Sequence, residues 1–417
     1  MRQSLLFLTL LLCAGCADKK TALLWVSQPE FVIYVQYYNT SQSKYKIETQ
    51  YVESPAAELK KAKRKPDIII SDYLDNREML AVFEDIRYLF SNGYVNDELF
   101  YPELLKTGRI GRAQRLLPVS FNLPMIVFSA DGQAAPEDPF VIDIDTLRKS
   151  GIAYNKWSSS AWTQIGFSPL WDKKNDFVFL VSRMYNTSFS EAAKNNSKKN
   201  ILKWDNTALE ASLQYISDWT AESTHSVQSE DEFVYKYFFD PVEKLLLNER
   251  ILFAYMDSSS YFTLYEGQSN QLNFRWLAGE SKIPVLENNV SFGICRSSKS
   301  KKAAADFSHW FFNEDTQRLF LEMSFNNKLN TFIFGIAGGF SAMQSVSEFI
   351  FSQYYDSLLG YMPPAGMLSV QSSLPSNWPE IKETVIIPYM LSEIRGKDKS
   401  ALQDKINDWK KIKQGQF

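Results

Sequence analysis

The chain has 417 residues, of which 45% are hydrophobic and 22% charged, a composition that excludes disordered and collagen-like proteins and suits about two or three folded domains. Its 45 basic and 48 acidic residues nearly balance, so charge gives no reason to expect nucleic acid or a polybasic membrane contact. The chain has only 2 histidines, which disfavours zinc sites and histidine-based catalytic triads.

The N-terminus has the pattern of an export signal. Arg2 precedes the apolar run Leu5–Ala14, which is too short to span a bilayer, so residues 1–15 are predicted to be a secretory signal peptide. The run ends in Leu-Cys-Ala-Gly-Cys, which resembles the bacterial lipobox, and this implies cleavage before Cys16 and lipidation of that cysteine. A plain signal peptide with chance cysteines is the alternative. Residues 16–21 would then form a lipidated tether.

The next fifty residues alternate between strand and helix patterns. They predict strands over Thr21–Ser27, Lys46–Val52 and Lys65–Asp72. A helix is predicted between the first two strands, over Glu30–Asn39, and a short basic helix between the last two, over Leu59–Arg64. Ile68–Ile70 is a run of three isoleucines, which is typical of a strand buried on both faces of a parallel sheet. The order predicts an open α/β sheet, in which ligands bind beyond the carboxyl ends of strands.

The rest of the chain continues as a mixed α/β pattern. Residues 115–129 predict two strands around a polar elbow at Ser120–Asn122, and residues 130–139 read as a crossing or linker. Leu80–Phe90 is an amphipathic segment, Asp145–Ser150 begins a helix, and Ser158–Asp172 is a tryptophan-rich loop. Further along, Leu209–Trp219 is predicted to be a helix and Arg250–Met256 a buried strand. Two more helices are predicted over Ala303–Glu322 and Asp398–Lys413.

Several of these segments, in this order behind the lipobox-like sequence, resemble a known family. They are Pro66–Asp72, Gly108–Ser129, Gly166–Met184 with Ser168–Asp172, Glu249–Asp257, Phe292–Cys295 and Ala303–Leu321. Together they resemble family 1 extracellular solute-binding proteins, the lipoprotein receptors of bacterial ABC importers, including maltodextrin-type binders. The resemblance implies a two-lobed α/β fold of the periplasmic-binding-protein type II, each lobe an open sheet flanked by helices, with the solute enclosed between the lobes.

The same resemblance sets expectations for organisation and partners. Lobe 1 is expected over residues 22–129 plus 288–330, and lobe 2 over residues 130–287 plus 331–417. The expected partners are a small solute, with a sugar favoured, an ABC permease, and a membrane reached through the lipid on Cys16. The protein is expected to be a monomer at the periplasmic or cell-envelope face, with no metal and no cofactor.

Two candidate ligand contacts lie at predicted strand ends in the first half. Asp72 follows the isoleucine strand, where it could bond a solute or cap the next helix. Asn122 sits in the elbow after Val119, where it could bond a solute or stabilise the turn. A sugar needs carboxylates and amides of this kind for its hydroxyl groups, and aromatic faces for its apolar C–H side.

Further candidates lie in the second half. Trp171 and Asp172 occupy the place where sugar-binding relatives have a stacking aromatic, with a core tryptophan as the alternative. Asp257, Ser258 and Tyr261 follow the predicted strand Arg250–Met256, where the family supplies a polar group and an aromatic. Trp276 could also reach the ligand, although packing within a lobe is the preferred interpretation.

Catalytic motifs are absent from the sequence. It contains no Gly-x-Ser-x-Gly, Walker A or His-Glu-x-x-His pattern, so a non-catalytic receptor is preferred. Its 48 acidic residues leave a glycoside-processing enzyme open, because such enzymes need only two carboxylates. A surface lipoprotein of the same fold that binds a protein partner is the other alternative.

Overall fold

The computed structural model describes residues 20–132, 136–158, 160–172, 174, 176–193, 200–264, 270–371, 374–396 and 400–415. The predicted signal peptide, residues 1–15, and the predicted lipidation site Cys16 lie outside this part of the chain. Within it, no helix is both long and apolar enough to cross a membrane.

The strands are short and spread along the chain. They are β1 Lys20–Val26, β2 Tyr45–Tyr51, β3 Ile68–Asp72, β4 Arg109–Ile110, β5 Ala113–Gln114, β6 Leu117–Phe121, β7 Pro124–Ser129, β8 Val141–Asp143, β9 Lys156–Ser158, β10 Ala161–Gln164, β11 Ser190–Ala193, β12 Asn200–Lys203, β13 Ala254–Asp257, β14 Leu272–Ala278, β15 Ile283–Pro284, β16 Val290–Ile294, β17 Phe340–Ser341 and β18 Leu368–Ser369.

Helices fill most of the connections between them. They are α1 Phe31–Ser41, α2 Pro55–Lys61, α3 Arg77–Leu80, α4 Arg87–Ser91, α5 Pro102–Thr107, α6 Ile144–Tyr154, α7 Asp176–Met184, α8 Asn206–Thr224, α9 Val227–Lys236, α10 Val242–Leu247, α11 Ser258–Phe262, α12 Lys301–Phe311, α13 Glu314–Asn326, α14 Trp378–Ile381, α15 Ile387–Ile394 and α16 Leu402–Gly415. Two π-helical turns cover Val346–Ile350 and Lys382–Ile386.

The first lobe is built on a six-stranded sheet with the order β17-β6-β16-β3-β1-β2. Strands β2, β1 and β3 are parallel, and β16 runs antiparallel to β3 and β6. The predicted βαβαβ start is therefore confirmed. Ile68 and Ile70 lie in one hydrophobic core while Ile69 lies in another, so the strand is buried on both faces as its composition predicts.

The second lobe is built on a four-stranded sheet with the order β13-β7-β14-β8. Residues of β7 alternate between two cores, because successive side chains of a strand point to opposite faces. Met125 and Val127 lie in a core that also contains residues of the first sheet, whereas Ile126 and Phe128 pack with α7 and α8 in the core of the second lobe. A shared core thus joins the two sheets.

Asn122 and Leu123 form the first crossing, which connects β6 of the six-stranded sheet directly to β7 of the four-stranded sheet. Val285–Asn289 forms the second crossing, which leads from β15 into β16 of the six-stranded sheet; β15 itself pairs with β18 outside the two main sheets. The backbone N–H of Leu286 donates to the carbonyl of Asn122 at 2.9 Å, so the two crossings are hydrogen-bonded to each other.

The predicted lobe boundaries stay a prediction. At two places, however, a strand pairs in the sheet of the lobe other than the one whose predicted range contains it. Pro124–Ser129 pairs within the four-stranded sheet, although it falls in the predicted lobe 1 range. Phe340–Ser341 pairs with β6 of the six-stranded sheet, although it falls in the predicted lobe 2 range. Both differences arise because strand pairing connects residues that are distant along the chain.

Two sequence predictions of local structure were wrong in detail. The helix predicted over Ala303–Glu322 is two helices, because the side chain of Asn313 accepts the N–H of Thr316 and starts α13. The segment predicted to be amphipathic, Leu80–Phe90, contains the end of α3 and most of α4, and Phe83 between them pairs with Cys295 in a β-bridge.

The tryptophan-rich segment Ser158–Asp172 was also predicted as a loop throughout. Its first part forms the antiparallel pair of β9 and β10, in which Trp157 lies opposite Trp162. The two rings are 5.0 Å apart at their centroids in an edge-to-face arrangement, which accounts for the pairing of a segment without other strand features.

Candidate functional site

Two adjoining cavities lie at the carboxyl end of β13. The larger has a volume of about 560 Å³ and the smaller about 400 Å³. Both are lined by Lys174, Asp176, Tyr255 and Asp257, so they meet along a common edge. Volumes of this size are typical of sites for small molecules.

The cavities differ in their position between the lobes. The lining of the larger cavity comes from the second lobe, chiefly α9, α10 and the loop that carries Trp171. The smaller cavity is bounded by Tyr73, which follows β3 of the first sheet, and by Leu286–Asn288 of the second crossing. The smaller cavity therefore lies where the two lobes meet.

Aromatic side chains form one side of the larger cavity. These residues, which we call the aromatic wall, are Trp171, Phe233, Tyr237 and Phe238. The rings of Trp171 and Phe233 are stacked, with centroids 5.6 Å apart and planes inclined by 14°, and the Phe233 ring lies 4.9 Å from that of Tyr237. Trp171 is half-buried and its indole Nε1 has no hydrogen-bond partner. The wall offers flat apolar faces to the cavity, while the unpaired indole Nε1 of Trp171 is itself buried.

Asp172 lies beside this wall and also organises the loop. Its carboxylate accepts backbone N–H groups from Asp176 at 2.6 Å, Phe177 at 3.2 Å and Lys174 at 3.1 Å, so it caps the start of α7. Burial raises the pKa of Asp172, while these backbone donors oppose the rise. Asp172 lines the larger cavity, and its hydrogen bonds fix the position of the neighbouring Trp171.

Asp257 faces both cavities from the end of β13. It is the N-cap of α11 and accepts the backbone N–H of Ser260 at 2.7 Å and the hydroxyl of Ser259 at 2.5 Å. The residue is half-buried, so its carboxylate remains partly accessible from the cavity side. It is the predicted site residue that both cavities share.

Asn122 and Ser258 contact each other at the first crossing instead. The Ser258 hydroxyl donates to Oδ1 of Asn122 at 2.7 Å and accepts the N–H of Leu123 at 3.1 Å. Nδ2 of Asn122 donates to the carbonyl of Gly338 at 3.0 Å. Asn122 is 3% exposed and Ser258 is fully buried, so their polar atoms hold the crossing together in this structure.

Tyr261 and Trp276 are buried in the shared core. The Tyr261 hydroxyl donates to the carbonyl of Leu272 at 3.4 Å, and burial raises its pKa. Trp276 donates from Nε1 to the carbonyl of Tyr361 at 2.7 Å, in agreement with the preferred packing interpretation. Neither residue lines the two cavities.

Asp72 is the last residue of β3 and lies next to Tyr73, which lines the smaller cavity. It accepts the hydroxyl of Ser71 at 3.1 Å, and burial raises its pKa. The helix-cap alternative does not hold, because Asn76 caps α3. Of the predicted site residues, the structure thus brings Trp171, Asp172 and Asp257 to the cavities, and their contact with a solute stays a prediction.

A buried charge network borders the smaller cavity, and the sequence analysis missed it. Nζ of Lys382 lies 3.0 Å from Asp176 and 3.0 Å from Glu287, and Arg183 donates to the carbonyl of Val285 at 2.8 Å. Burial alone would lower the pKa of Lys382, but the two carboxylates outweigh it and the pKa is raised. Oε1 of Glu287 has no hydrogen-bond partner, which leaves an acceptor at the cavity edge.

These residues were hidden from sequence analysis for different reasons. Lys382 and Glu287 are 95 positions apart, so nothing local marks them as partners. Phe233 and Tyr237 do have a local sign, since they are four apart on one face of a helix. Among the residues that the structure describes, no cluster of three or more His, Cys, Asp or Glu side chains could hold a metal ion.

Comparison of the whole chain with solved structures identifies its architecture. A cyclic α-maltosyl-1,6-maltose binding protein from Arthrobacter globiformis aligns with a TM-score of 0.59 and 17% identity, over 93% of this chain and 96% of that one. An ABC substrate-binding protein from Listeria monocytogenes, solved with cycloalternan, aligns with a TM-score of 0.61 and 12% identity, over 95% and 99%.

A family 1 extracellular solute-binding protein from Alicyclobacillus acidocaldarius aligns with a TM-score of 0.56 and 12% identity, over 94% and 96%. No family model and no curated protein sequence matches the chain. The chain therefore has the two-lobed α/β fold of ABC solute-binding proteins, as the resemblance of its segments predicted. At these identities the likeness establishes the fold.

Proposed function

We propose that this protein is the solute-binding component of an ABC importer and that it captures an oligosaccharide in the two cavities. The observation that carries the proposal is the aromatic wall, which faces a cavity lined by Asp172 and Asp257. The fold supports it, since its structural neighbours include proteins named as binders of cyclic maltosyl-maltose and solved with cycloalternan.

The chemistry of the cavities suits a sugar. A pyranose ring has apolar C–H faces that pack on aromatic rings, and half-buried Trp171 and exposed Phe238 of the aromatic wall provide such faces. Its hydroxyl groups need fixed hydrogen-bond partners, and the carboxylates of Asp257 and Glu287 line the cavities as acceptors. The volumes of the two adjoining cavities, about 560 and 400 Å³, favour a ligand of more than one ring over a single ring.

The proposal includes the location and partners of the protein. It would be exported, cleaved after residue 15, anchored to a membrane through lipid on Cys16, and act as a monomer that delivers its solute to a permease. Two lobes that move about the crossings would enclose the solute, with the lobe ranges of the sequence analysis changed so that Pro124–Ser129 belongs to lobe 2 and Phe340–Ser341 to lobe 1. The protein would bind and release the solute unchanged.

A thermal-shift screen of the chain from Ala17 onward tests the proposal. The panel should contain oligosaccharides such as maltotriose and mannotriose, single sugars, amino acids, peptides and polyamines. A ligand at about 100 times its dissociation constant stabilises the folded state by roughly 2.7 kcal/mol, so oligosaccharides should raise the melting temperature. Stabilisation by peptides or polyamines alone would contradict the sugar assignment, and conversion of a bound oligosaccharide would indicate an enzyme.

A surface lipoprotein that binds a protein partner is a second candidate, and one observation favours it. Phe332 is 81% exposed, Phe349 is 67% exposed and Leu359 is 78% exposed, and none of them lines the cavities. Exposed apolar side chains mark a protein interface where they form one contiguous patch, which is what this candidate requires of these three residues. A screen in which no small molecule changes the melting temperature would favour this candidate.

A further inference from the structure

A buried carboxylate lies behind the aromatic wall. Glu230, on α9, is 1% exposed and precedes Phe233 by nearly one helical turn. One of its carboxylate oxygens accepts a short hydrogen bond from the hydroxyl of Ser168, and the hydroxyl of Thr224 lies 3.3 Å from the other. A buried carboxylate is costly unless such donors compensate it, so its presence here needs a reason.

Glu230 connects the two parts of the wall. The Ser168 hydroxyl that donates to it also accepts the N–H of Leu170 at 3.2 Å, and the carbonyl of Ser168 accepts the N–H of Trp171 at 3.5 Å. The turn that carries Trp171 is thus held by Ser168. The helix that carries Phe233, the ring stacked on Trp171, is the helix of Glu230 itself.

We propose that Glu230 is a positioning residue that holds the Trp171 turn against α9 and so makes solute affinity depend on pH. The inference rests on the proposed function, and it adds a means of regulation to that site. Glu230 does not line either cavity, so its influence on a solute passes through Ser168 and the wall.

The charged surroundings of Glu230 set the direction of the effect. Burial raises its pKa to about 7, and the negative charge of Asp231 adds to the rise, although Asp231 is paired with Arg395 at 2.7 Å. The neighbouring α8 presents Thr224 and ends at His225 as its C-cap, and the Trp171 turn presents Ser168.

The ionisation state of Glu230 determines which hydrogen bonds the Ser168 hydroxyl can make, and thereby how firmly the Trp171 turn is held. Above about pH 7 the ionised carboxylate accepts from Ser168, which leaves the Ser168 oxygen free to accept the N–H of Leu170. When Glu230 is protonated on the oxygen that accepts from Ser168, its new O–H donates to the Ser168 oxygen in competition with the N–H of Leu170, and the Ser168 proton loses that acceptor. We therefore expect the Trp171 turn to loosen, and solute affinity to fall, as the pH drops below 7.

Fluorine NMR of protein labelled with 5-fluorotryptophan tests this without a ligand. The Trp171 resonance is assigned from Trp171→Phe, and its position is followed from pH 5.5 to pH 8.5. It should move with a midpoint near 7 in the wild type and stay constant in Glu230→Gln, near the low-pH wild-type position. Ser168→Ala should also abolish the movement, and it serves as the second variant if Glu230→Gln does not fold.

Two controls isolate Glu230. Glu232→Gln makes the same change at an exposed site on the same helix and should leave the titration intact. His225→Asn removes the histidine at the end of α8 and should also leave it intact. A Trp171 resonance that titrates equally in Glu230→Gln and the wild type would overturn the proposal, as would loss of the titration in His225→Asn alone.

A binding measurement then links positioning to affinity. For an oligosaccharide found in the screen, affinity at pH 8 should be about tenfold weaker in Glu230→Gln than in Glu232→Gln, the scale of one hydrogen bond to a charged group. Equal affinities would overturn the link to the solute. If no oligosaccharide binds but the Trp171 resonance titrates as expected, the proposed function fails while the positioning role of Glu230 stands.

Discussion

Replacing Lys382 by methionine should destabilise the protein strongly. Lys382 joins three parts of the chain, because it lies 3.0 Å from Asp176 at the start of α7 and 3.0 Å from Glu287 in the second crossing. The Glu287 side chain is 5% exposed and that of Lys382 is 14% exposed, so solvent screens this pair little. Methionine keeps the length and the apolar stem and removes the charge.

The magnitude follows from the charge that the substitution leaves behind. Removing one partner of a buried ion pair typically costs about 3–5 kcal/mol, because the other charge stays buried without compensation. Asp176 is 37% exposed and can be hydrated, so most of the cost should come from Glu287. The double variant Lys382→Met with Glu287→Gln should therefore lose less, roughly 1–2 kcal/mol.

Urea unfolding at pH 7 of the wild type, both single variants and the double variant completes a thermodynamic cycle. Because the pKa of Lys382 is raised, the lysine is charged at pH 7 and its contribution is lost only as the pH rises through that raised value. Exposed Lys244, paired with Asp240 at 2.9 Å, provides the control, and Lys244→Met should cost less than about 1 kcal/mol. A loss in Lys382→Met as small as in the control would refute the reasoning.

Three further outcomes can be measured. Asn122→Ala should cost about 1–3 kcal/mol in urea unfolding, because the carbonyl of Gly338 and the hydroxyl of Ser258 lose a buried partner; a neutral result would contradict this account of the crossing. Cys16→Ala should move the protein from membranes to the soluble fraction, and continued membrane association would disprove the lipid anchor. Burial raises the pKa of Glu230 to about 7, so the stability that its protonated form contributes is full below pH 4.5 and is lost as the pH rises through about 7. From pH 5 to pH 8 the wild type should therefore lose roughly 3 kcal/mol of unfolding free energy relative to Glu230→Gln. Parallel pH profiles of the two proteins would exclude this contribution.

Sequence patterning was sufficient for the framework of the first lobe. The run Ile68–Ile70 is short, β-branched and preceded by Pro66, which favours a strand covered on both faces, and the structure has this strand. The elbow predicted at Ser120–Asn122 was close to the observed turn at Asn122 and Leu123, although Ser120 and Phe121 remain buried in β6. Family resemblance then supplied the two-lobed arrangement, which no local pattern could establish.

Site residues were harder to assign, because exposure depends on distant contacts. Asn122 and Ser258 were each placed correctly at the end of a strand, but they are 136 positions apart and bind each other at the crossing. Tyr261 and Trp276 are aromatic residues in a chain with 61 of them, formed by 30 Phe, 21 Tyr and 10 Trp, and sequence alone does not separate core rings from cavity rings. Trp171 was distinguished by its neighbours in the resembling segment.

The central claim is that an oligosaccharide binds in the cavity beside the aromatic wall. Calorimetric titration of the chain from Ala17 onward with an oligosaccharide tests this claim most directly, and it should compare the wild type with Trp171→Ala and Trp157→Ala. Both remove a tryptophan, but Trp171 belongs to the aromatic wall while Trp157 is 57% exposed and lines neither cavity. Wild-type protein should bind one oligosaccharide per chain, Trp171→Ala should lose roughly 1–3 kcal/mol of binding free energy, and Trp157→Ala should bind as the wild type does. Full affinity in Trp171→Ala together with weakened binding in Trp157→Ala would contradict the claim.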